Sequence, residues 1–173
     1  MHTPDDTSTV SLRLLGRAER GAVMRHFLRL GPEERQHRFS HAASDDYIHR
    51  YCDGLEESGA ILVGAFVDGE IRGLAELLGF AGSWPRTCEF AVSVQAAYQS
   101  RGIGTALIRQ SLLVARNRWI SRVCMTCLWE NVRMRRIARA MGARVTTEGG
   151  EADGELRLLW PTCLSVLSEA AGY

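Results

Sequence analysis

The stretch Thr87-Cys-Glu-Phe-Ala-Val-Ser-Val94, followed by a short loop and Gly102-Ile-Gly104, constrains this chain more than any other. It predicts a buried strand whose loop delivers two glycines to the start of a helix running from Gly102 to Asn117. Neither glycine carries a Cβ, so the backbone there can approach a ligand closely. The first N–H groups of the helix lack internal partners and lie at its positive end. A pyrophosphate is the natural occupant of such a turn. A Walker loop is excluded because the chain contains no lysine. A dinucleotide fingerprint needs a third glycine where this chain has Leu107.

Around that segment the patterning alternates between helix and strand. Val10–Leu15 predicts a first strand after a polar tail, residues 1–9. Ala18–Leu30 has helical spacing and stops at Gly31-Pro32, and Glu33–Phe39 predicts a short helix. Ser44 is the expected N-cap of a helix to about Ser58. Ala60–Val67, Asp68-Gly69 and Ile71–Phe80 predict a hairpin. Arg122–Trp129 predicts a strand, Val132–Met141 a helix ended by Gly142, and Ala143–Thr147 and Glu155–Trp160 two last strands. Gly149, Gly150 and Gly154 are expected in the turn between those two. The order β-αα-βββ-α-β-α-ββ gives the α/β class, with a mixed central sheet of about seven strands and about four flanking helices. One domain over residues 10–165 is expected, with 166–173 as a tail.

Composition narrows the function classes. A net charge of +1 supplies no field for nucleic acid, and the apolar runs fall short of a bilayer span. The N-terminal residues do not read as a secretory signal, so a cytoplasmic location is expected. Five scattered cysteines fit reduced thiols. Cys124 and Cys127 sit three apart on a predicted strand and so face opposite ways, and no metal site is expected. All 21 basic residues are arginines, so the chain offers no lysine of its own to an acyl donor.

The run Gln99-x-Arg101-Gly102-x-Gly104 after a strand resembles the acetyl-CoA signature of the GNAT N-acetyltransferase superfamily. Trp129-Glu130-Asn131 followed by Met134, Ile137 and Met141-Gly142-Ala143 is similar to the strand–Asn–helix segment beside the cofactor in that family. The resemblance spans Val10 to Trp160. It implies that two strands splay and admit the pantetheine arm of acetyl-CoA as an extra strand. Val92, Ser93 and Val94 are then backbone partners of that arm, and Asn131 reaches it by its side chain. Backbone N–H groups from Gln99 through Ser100, Arg101, Gly102, Ile103 and Gly104 to Thr105 hold the pyrophosphate. Arg101, Arg133 and Arg135 are either phosphate contacts or solvated surface arginines. Local phrases, Leu30-Gly-Pro-Glu-Glu-Arg35 and Cys88-Glu-Phe-Ala through Gly104, look like bacterial protein-lysine acetyltransferases of the Pat type.

In that group a glutamate at the position of Glu89 is the general base, and burial among Phe90, Ala91 and Val92 is expected to raise its pKa, the rival reading being a glutamate at the solvated end of the strand or in an ion pair. The Val94 N–H is the implied oxyanion donor. Many relatives place a tyrosine acid seven residues after the Asn, but this chain has Ala138 there. An acyl-cysteine at Cys88 is disfavoured, since its side chain opposes that of Glu89 on the strand. Asp45, Asp46, Glu56 and Glu57 read as helix charges and solvated face, or as an attraction for a cationic acceptor. The expected activity is acetyl transfer from acetyl-CoA to a primary amine, a protein lysine ahead of a polyamine, amino acid or aminoglycoside, without a metal. A catalytically idle acyl-CoA sensor is the reading from another class, and a homodimer through the terminal strands is allowed.

Overall fold

The computed structural model describes residues 10–79 and 85–171. Its strands are β1 (Ser11–Leu15), β2 (Ile61–Val67), β3 (Glu70–Leu78), β4 (Thr87–Val94), β5 (Arg122–Leu128), β6 (Arg144–Glu148) and β7 (Glu151–Arg157). Its helices are α1 (Arg20–Leu28), α2 (Pro32–Phe39), α3 (Asp45–Glu57), α4 (Ile103–Asn117), α5 (Val132–Ala140) and α6 (Cys163–Ala170). The strands form one sheet in the order β1-β2-β3-β4-β5-β7-β6. Every pairing is antiparallel except β4–β5. That parallel pair needs a crossover, which α4 supplies.

Two apolar clusters cover the two faces of the sheet. Phe27, Ile48 and Leu74 centre the one beneath α1–α3. Leu77, Phe90, Leu107, Ile108 and Val123 centre the other, beneath α4 and α5. Strand alternation makes this division: Cys88 and Phe90 on β4 are buried toward α4, while Glu89, Ala91 and Ser93 face the opposite way.

The sheet class and strand count agree with the sequence expectation; several boundaries move. The predicted helix from Ala18 divides into a 3₁₀ turn at Arg17–Glu19 and α1, which ends two residues earlier. Three helices precede β2, at the three segments expected to be helical though the condensed order showed two, and six flank the sheet rather than about four. Gly154 lies inside β7, not in the turn, which is Gly149-Gly150 with φ of 59° and 89°. A Cβ at Gly154 would stand 2.8 Å from Met125 Cγ, so this glycine serves a tight strand crossing. β7 stops at Arg157, opposite the first residue of β5, and Leu158–Trp160 leave the sheet. Helix α6 occupies part of the expected C-terminal tail. Thr162 caps it by accepting from the Ser165 N–H. Its apolar residues make no inward stripe, which is why periodicity misses it. Phe80, placed in the predicted hairpin, and Gly82 lie outside the described residues.

One glycine sets where α4 begins. Gly73 on β3 faces the helix, and a Cβ there would fall 2.9 Å from both Ile103 Cγ2 and Leu107 Cδ1. The helix start therefore seats directly on the sheet beside the end of β4. Gly73→Ala is expected to destabilise the fold by about 1–3 kcal/mol, because Ile103 and Leu107 are already buried without slack. The check is a lower urea midpoint with an unchanged m-value; an unchanged midpoint would show that α4 can lift away freely.

Candidate functional site

β4 and β5 pair over three positions only, Thr87↔Arg122, Cys88↔Val123 and Glu89↔Cys124. Beyond Glu89 the two strands diverge, while β4 stays paired with β3 up to Val94. A V-shaped opening results, and a cleft of about 580 Å³ lies in it. Residues of β4, the loop before α4, α2 and the β5–α5 junction line it.

Hydrogen-bond parity decides which β4 backbone groups face the opening. The Gln95 N–H donates to Arg72 C=O at 3.0 Å, extending the β3–β4 register by one pair. In an antiparallel ladder, alternate residues turn their amides to the same neighbour. Ser93 and Ala91 therefore bond to β3, whereas Phe90, Val92 and Val94 point their N–H and C=O groups into the V. The Val94 C=O is taken by Gln99 Nε2 at 2.9 Å, which leaves its N–H. Ser93 lines the cleft, but its backbone belongs to β3 and its hydroxyl to His26. Of the three strand residues expected to meet the arm, Val92 and Val94 present free backbone groups and Ser93 does not.

The loop before α4 concentrates unpartnered donors. Gly102, at φ 82°, is the N-cap, and the first helical bond is Ala106 N–H to Gly102 C=O. The amides of Ile103, Gly104 and Thr105 consequently lack intrahelical acceptors. Ser100 also adopts the left-handed region, φ 62°, turning the loop into a concave run of amides of the kind that holds anions. Gln99 departs from expectation. Its N–H is spent on Ala96 C=O, and its side chain ties Val94 to Arg133, whose Nη1 donates to Gln99 Oε1 at 2.6 Å. Arg133 also reaches Ser100 Oγ. Arg101 lies outside the cleft lining with its guanidinium over the Tyr98 ring, and the Ile103 side chain is buried beneath β3. Arg135 stacks on Trp129 at 3.7 Å and is also outside the lining.

Across the V, Asn131 caps α5: its Oδ1 accepts from Met134 N–H at 3.0 Å. That bond fixes the side chain at the cleft wall with its amide NH₂ group left to donate. Position 138, where a tyrosine was sought, packs below the cleft. Ala138 is buried in the cluster with Met125 and is not part of the cleft lining.

Glu89 occupies the last paired position before the strands part. The burial expected of it does not occur: the side chain is exposed and is not part of the cleft lining. It shares a face of β4 with Ala91 and Ser93, which do line the cleft, and lies about 7 Å from Ala91 along the strand. Cys88 next to it is buried under α4, and that burial pushes its thiol up to about 12, so no thiolate forms there.

Helix α2 contributes a wall whose carboxylates, Glu33 and Glu34, motif reading did not single out. Glu33, Glu34, His37 and Arg38 line the cleft, as does Glu130 at the β5–α5 junction. Their spacing of i, i+1, i+4 and i+5 is one helix face, a signal present in the sequence but lacking a ligand to explain it. Arg38 is fixed by the fully buried Glu76, through Nε at 2.8 Å and Nη2 at 2.6 Å. The Tyr51 hydroxyl donates to the other carboxylate oxygen at 2.6 Å, and burial with the adjacent carboxylate pushes its pKa up. Asp45 pairs with Arg35 instead of facing the cleft. No group of three or more His, Cys, Asp or Glu among the described residues could hold a metal ion.

His26 pins the inner edge of the site. Its Nδ1–H donates to Ile71 C=O at 3.3 Å, so Nε2 is the acceptor and the Ser93 hydroxyl donates to it at 2.8 Å. Burial lowers its pKa from 6.5 to about 4. Between these values the unfolded chain binds a proton that the folded one does not. Stability is therefore full above about pH 6.5 and falls as the pH drops toward 4, by up to about 3 kcal/mol. Urea titrations at pH 7 and pH 5 check this, and His26→Gln is expected to flatten that part of the pH dependence.

A family model described as "Acetyltransferase (GNAT) family" matches residues 23–143. The GNAT domain of S. lividans PAT superposes with a TM-score of 0.70 at 22% identity, covering 85% of this chain and 89% of that one. The yncA structure from Salmonella typhimurium, solved with its cofactor acetyl-CoA, gives 0.66 at 17%, covering 90% and 98%. PaiA N-acetyltransferase from Thermoplasma acidophilum, in complex with coenzyme A, gives 0.63 at 17%, covering 86% and 99%. These structures share the fold. No curated protein matches the chain.

Proposed function

The chain belongs to the acetyltransferase (GNAT) family, and from that premise we propose that it transfers the acetyl group of acetyl-CoA directly to a primary amine, with protein lysine as the leading acceptor. The observation that carries this reading is the conjunction, in one cleft, of a free strand edge at Val92 and Val94 with the unpartnered amides at Gly104 and Thr105. The loop amides suit a pyrophosphate, and the strand edge suits an amide-containing arm that pairs as a strand does. The Asn131 amide faces that edge from across the V. From Val94 to Glu89 the strand spans roughly 17 Å, so an arm anchored at the loop points its acyl end at the apex. S. lividans PAT carries the same fold, and the phrases around Glu89 and Gln99 support the lysine reading.

Acetyl-CoA supplies an activated thioester, and the residues around it supply position and proton transfer. A lysine-type amine at pH 7 must lose a proton at a cost of about 4–5 kcal/mol. Glu89, at the apex and open to water, is the group assigned to accept it. Of the two free strand amides, the Val92 N–H is the nearer to the apex and is the one placed to stabilise the developing oxyanion, whereas the Val94 N–H that the resemblance implied lies at the loop end, where the arm begins. A thiol pKa near ~8.5 makes the thiolate a leaving group that does not depend on a tyrosine at position 138. The Glu33, Glu34 and Glu130 carboxylates that line the cleft favour a cationic acceptor. The alternatives are a small-molecule amine as acceptor, or a module that binds acetyl-CoA without turnover.

Calorimetry with acetyl-CoA tests the cofactor. A Cβ at Gly104 makes only a 3.9 Å contact, so Gly104→Glu is tolerated by the fold while placing a carboxylate among the anion-binding amides. Micromolar binding in the wild type and none in the variant is expected; tight binding by both would remove this loop from the site. Glu89→Gln should reduce kcat by ~10²–10⁴ with little change in acetyl-CoA affinity. Unaltered turnover across the pH range would eliminate Glu89 as base. Acetylation of a lysine peptide but not of free polyamines separates the two acceptor classes, and binding without turnover of either identifies the sensor.

A further inference from the structure

Helix α6 is docked the wrong way round for a surface helix. Its polar side faces the domain: Ser165 Oγ donates to Asn117 Oδ1 at 2.6 Å, Asn117 Nδ2 donates to Glu169 Oε2 at 2.8 Å, and Glu169 pairs with Arg118. Its apolar side faces out, with Leu164 77%, Val166 52% and Leu167 64% exposed. A helix ordinarily buries its apolar stripe and presents its polar one. Next to it Trp119 and Trp160 meet edge to face at 5.5 Å while remaining 54% and 71% exposed. Trp119 is held at φ 61°, a conformation that costs a bulky L residue on the order of 1–2 kcal/mol. The chain thus holds a strained backbone and a polar helix dock in a form that leaves aromatic and leucine side chains in water.

We propose that this surface, formed by Trp119, Leu159, Trp160, Leu164, Val166 and Leu167, is the interface through which two copies of the chain associate about a twofold axis. Two features favour a second copy. The surface holds both a ridge, Leu164 and Leu167 on α6, and an adjoining groove of about 270 Å³ between Pro85, Ile120 and Trp160. A twofold interface requires one patch to carry both complementary shapes, since each copy meets the other with the same residues. The six side chains also expose together on the order of 800 Å², which is what one partner of a standard interface buries. The outer edge of β6 is less suited, because its residues are polar or charged apart from Val145.

The groove shares no residue with the catalytic cleft, and α4, about 22 Å long, has the two at opposite ends. Disrupting the interface should therefore leave acetyl-CoA binding intact. Sedimentation equilibrium over roughly 1–100 µM is the test, a range that brackets micromolar association. The wild-type protein is expected to approach twice the chain mass of 19.2 kDa as concentration rises. The double substitution Leu164→Glu/Leu167→Glu should weaken association by ~10²-fold or more, with an unchanged circular dichroism spectrum. Both side chains point into solvent, so the double variant folds; Trp160→Ala provides a second disruption without new charge. A wild type that stays monomeric throughout would overturn the proposal, as would a double variant that remains dimeric. A monomeric wild type that sediments with phosphatidylcholine–phosphatidylserine vesicles would overturn it in favour of a lipid surface.

Discussion

Three residue pairs between β4 and β5 are the constraint on which the rest of the structure depends. The bond between the strands must hold long enough to make one continuous sheet and fail soon enough to leave an edge open. Pairing ends at Glu89↔Cys124, where the crossover through α4 has already set the parallel geometry. Had the pairing continued to Val94, the amides of Val92 and Val94 would be spent on β5 and no cleft would exist. What keeps the opening from closing is the anchoring of each wall elsewhere. β4 is held by β3 over six register pairs, and β5 by β7 over seven.

Buried polar groups stiffen the wall beneath α1–α3. His26 spans Ile71 on β3 and Ser93 on β4, while Arg38, Glu76 and Tyr51 join α2, β3 and α3 through charge-assisted bonds. Glu76 is wholly buried, and loss of its guanidinium partner would leave an unpaired charge in a low-dielectric interior. Its satisfaction by both Arg38 and Tyr51 fixes the angle at which α2 crosses the V. The acidic side chains of α2 thereby line the cleft. Arg133 ties the Gln99–Ser100 loop to α5.

Glu89 illustrates how strand position and environment are separate facts. Its neighbours Phe90, Ala91 and Val92 are apolar, and a strand flanked by such residues invites the expectation of burial. The side chain of Glu89 is nevertheless exposed. Alternation sends Cys88 and Phe90 under α4 and leaves Glu89 in water. A base at that point can exchange its proton with solvent directly, whereas a buried carboxylate would need a relay.

Much of the fold was legible because it is local. The β4 limits, the Ser44 cap, the Gly102 start of α4 and the Asp68-Gly69 hairpin each follow from residues within a few positions of one another. Turn chemistry, capping and hydrophobic period act over that range. The loop that offers free amides was legible for the same reason. Long-range pairing was not. That Ser93 gives its amide to β3 and its hydroxyl to His26, that Gly154 sits in a strand against Met125, and that α2 turns Glu33, Glu34 and His37 toward the cleft depend on residues 19 to 67 positions away or on another element's placement. Helix α6 marks the limit most clearly: its capping threonine is written in the sequence, but which of its faces meets the domain was decided by Asn117 and Arg118 at the far end of α4. Sequence determined most of the elements and the turn with unpartnered amides before α4 because those forces act between neighbours. Tertiary structure alone decided which groups remained unpaired, because an amide or a side chain is free only after every distant partner has been placed.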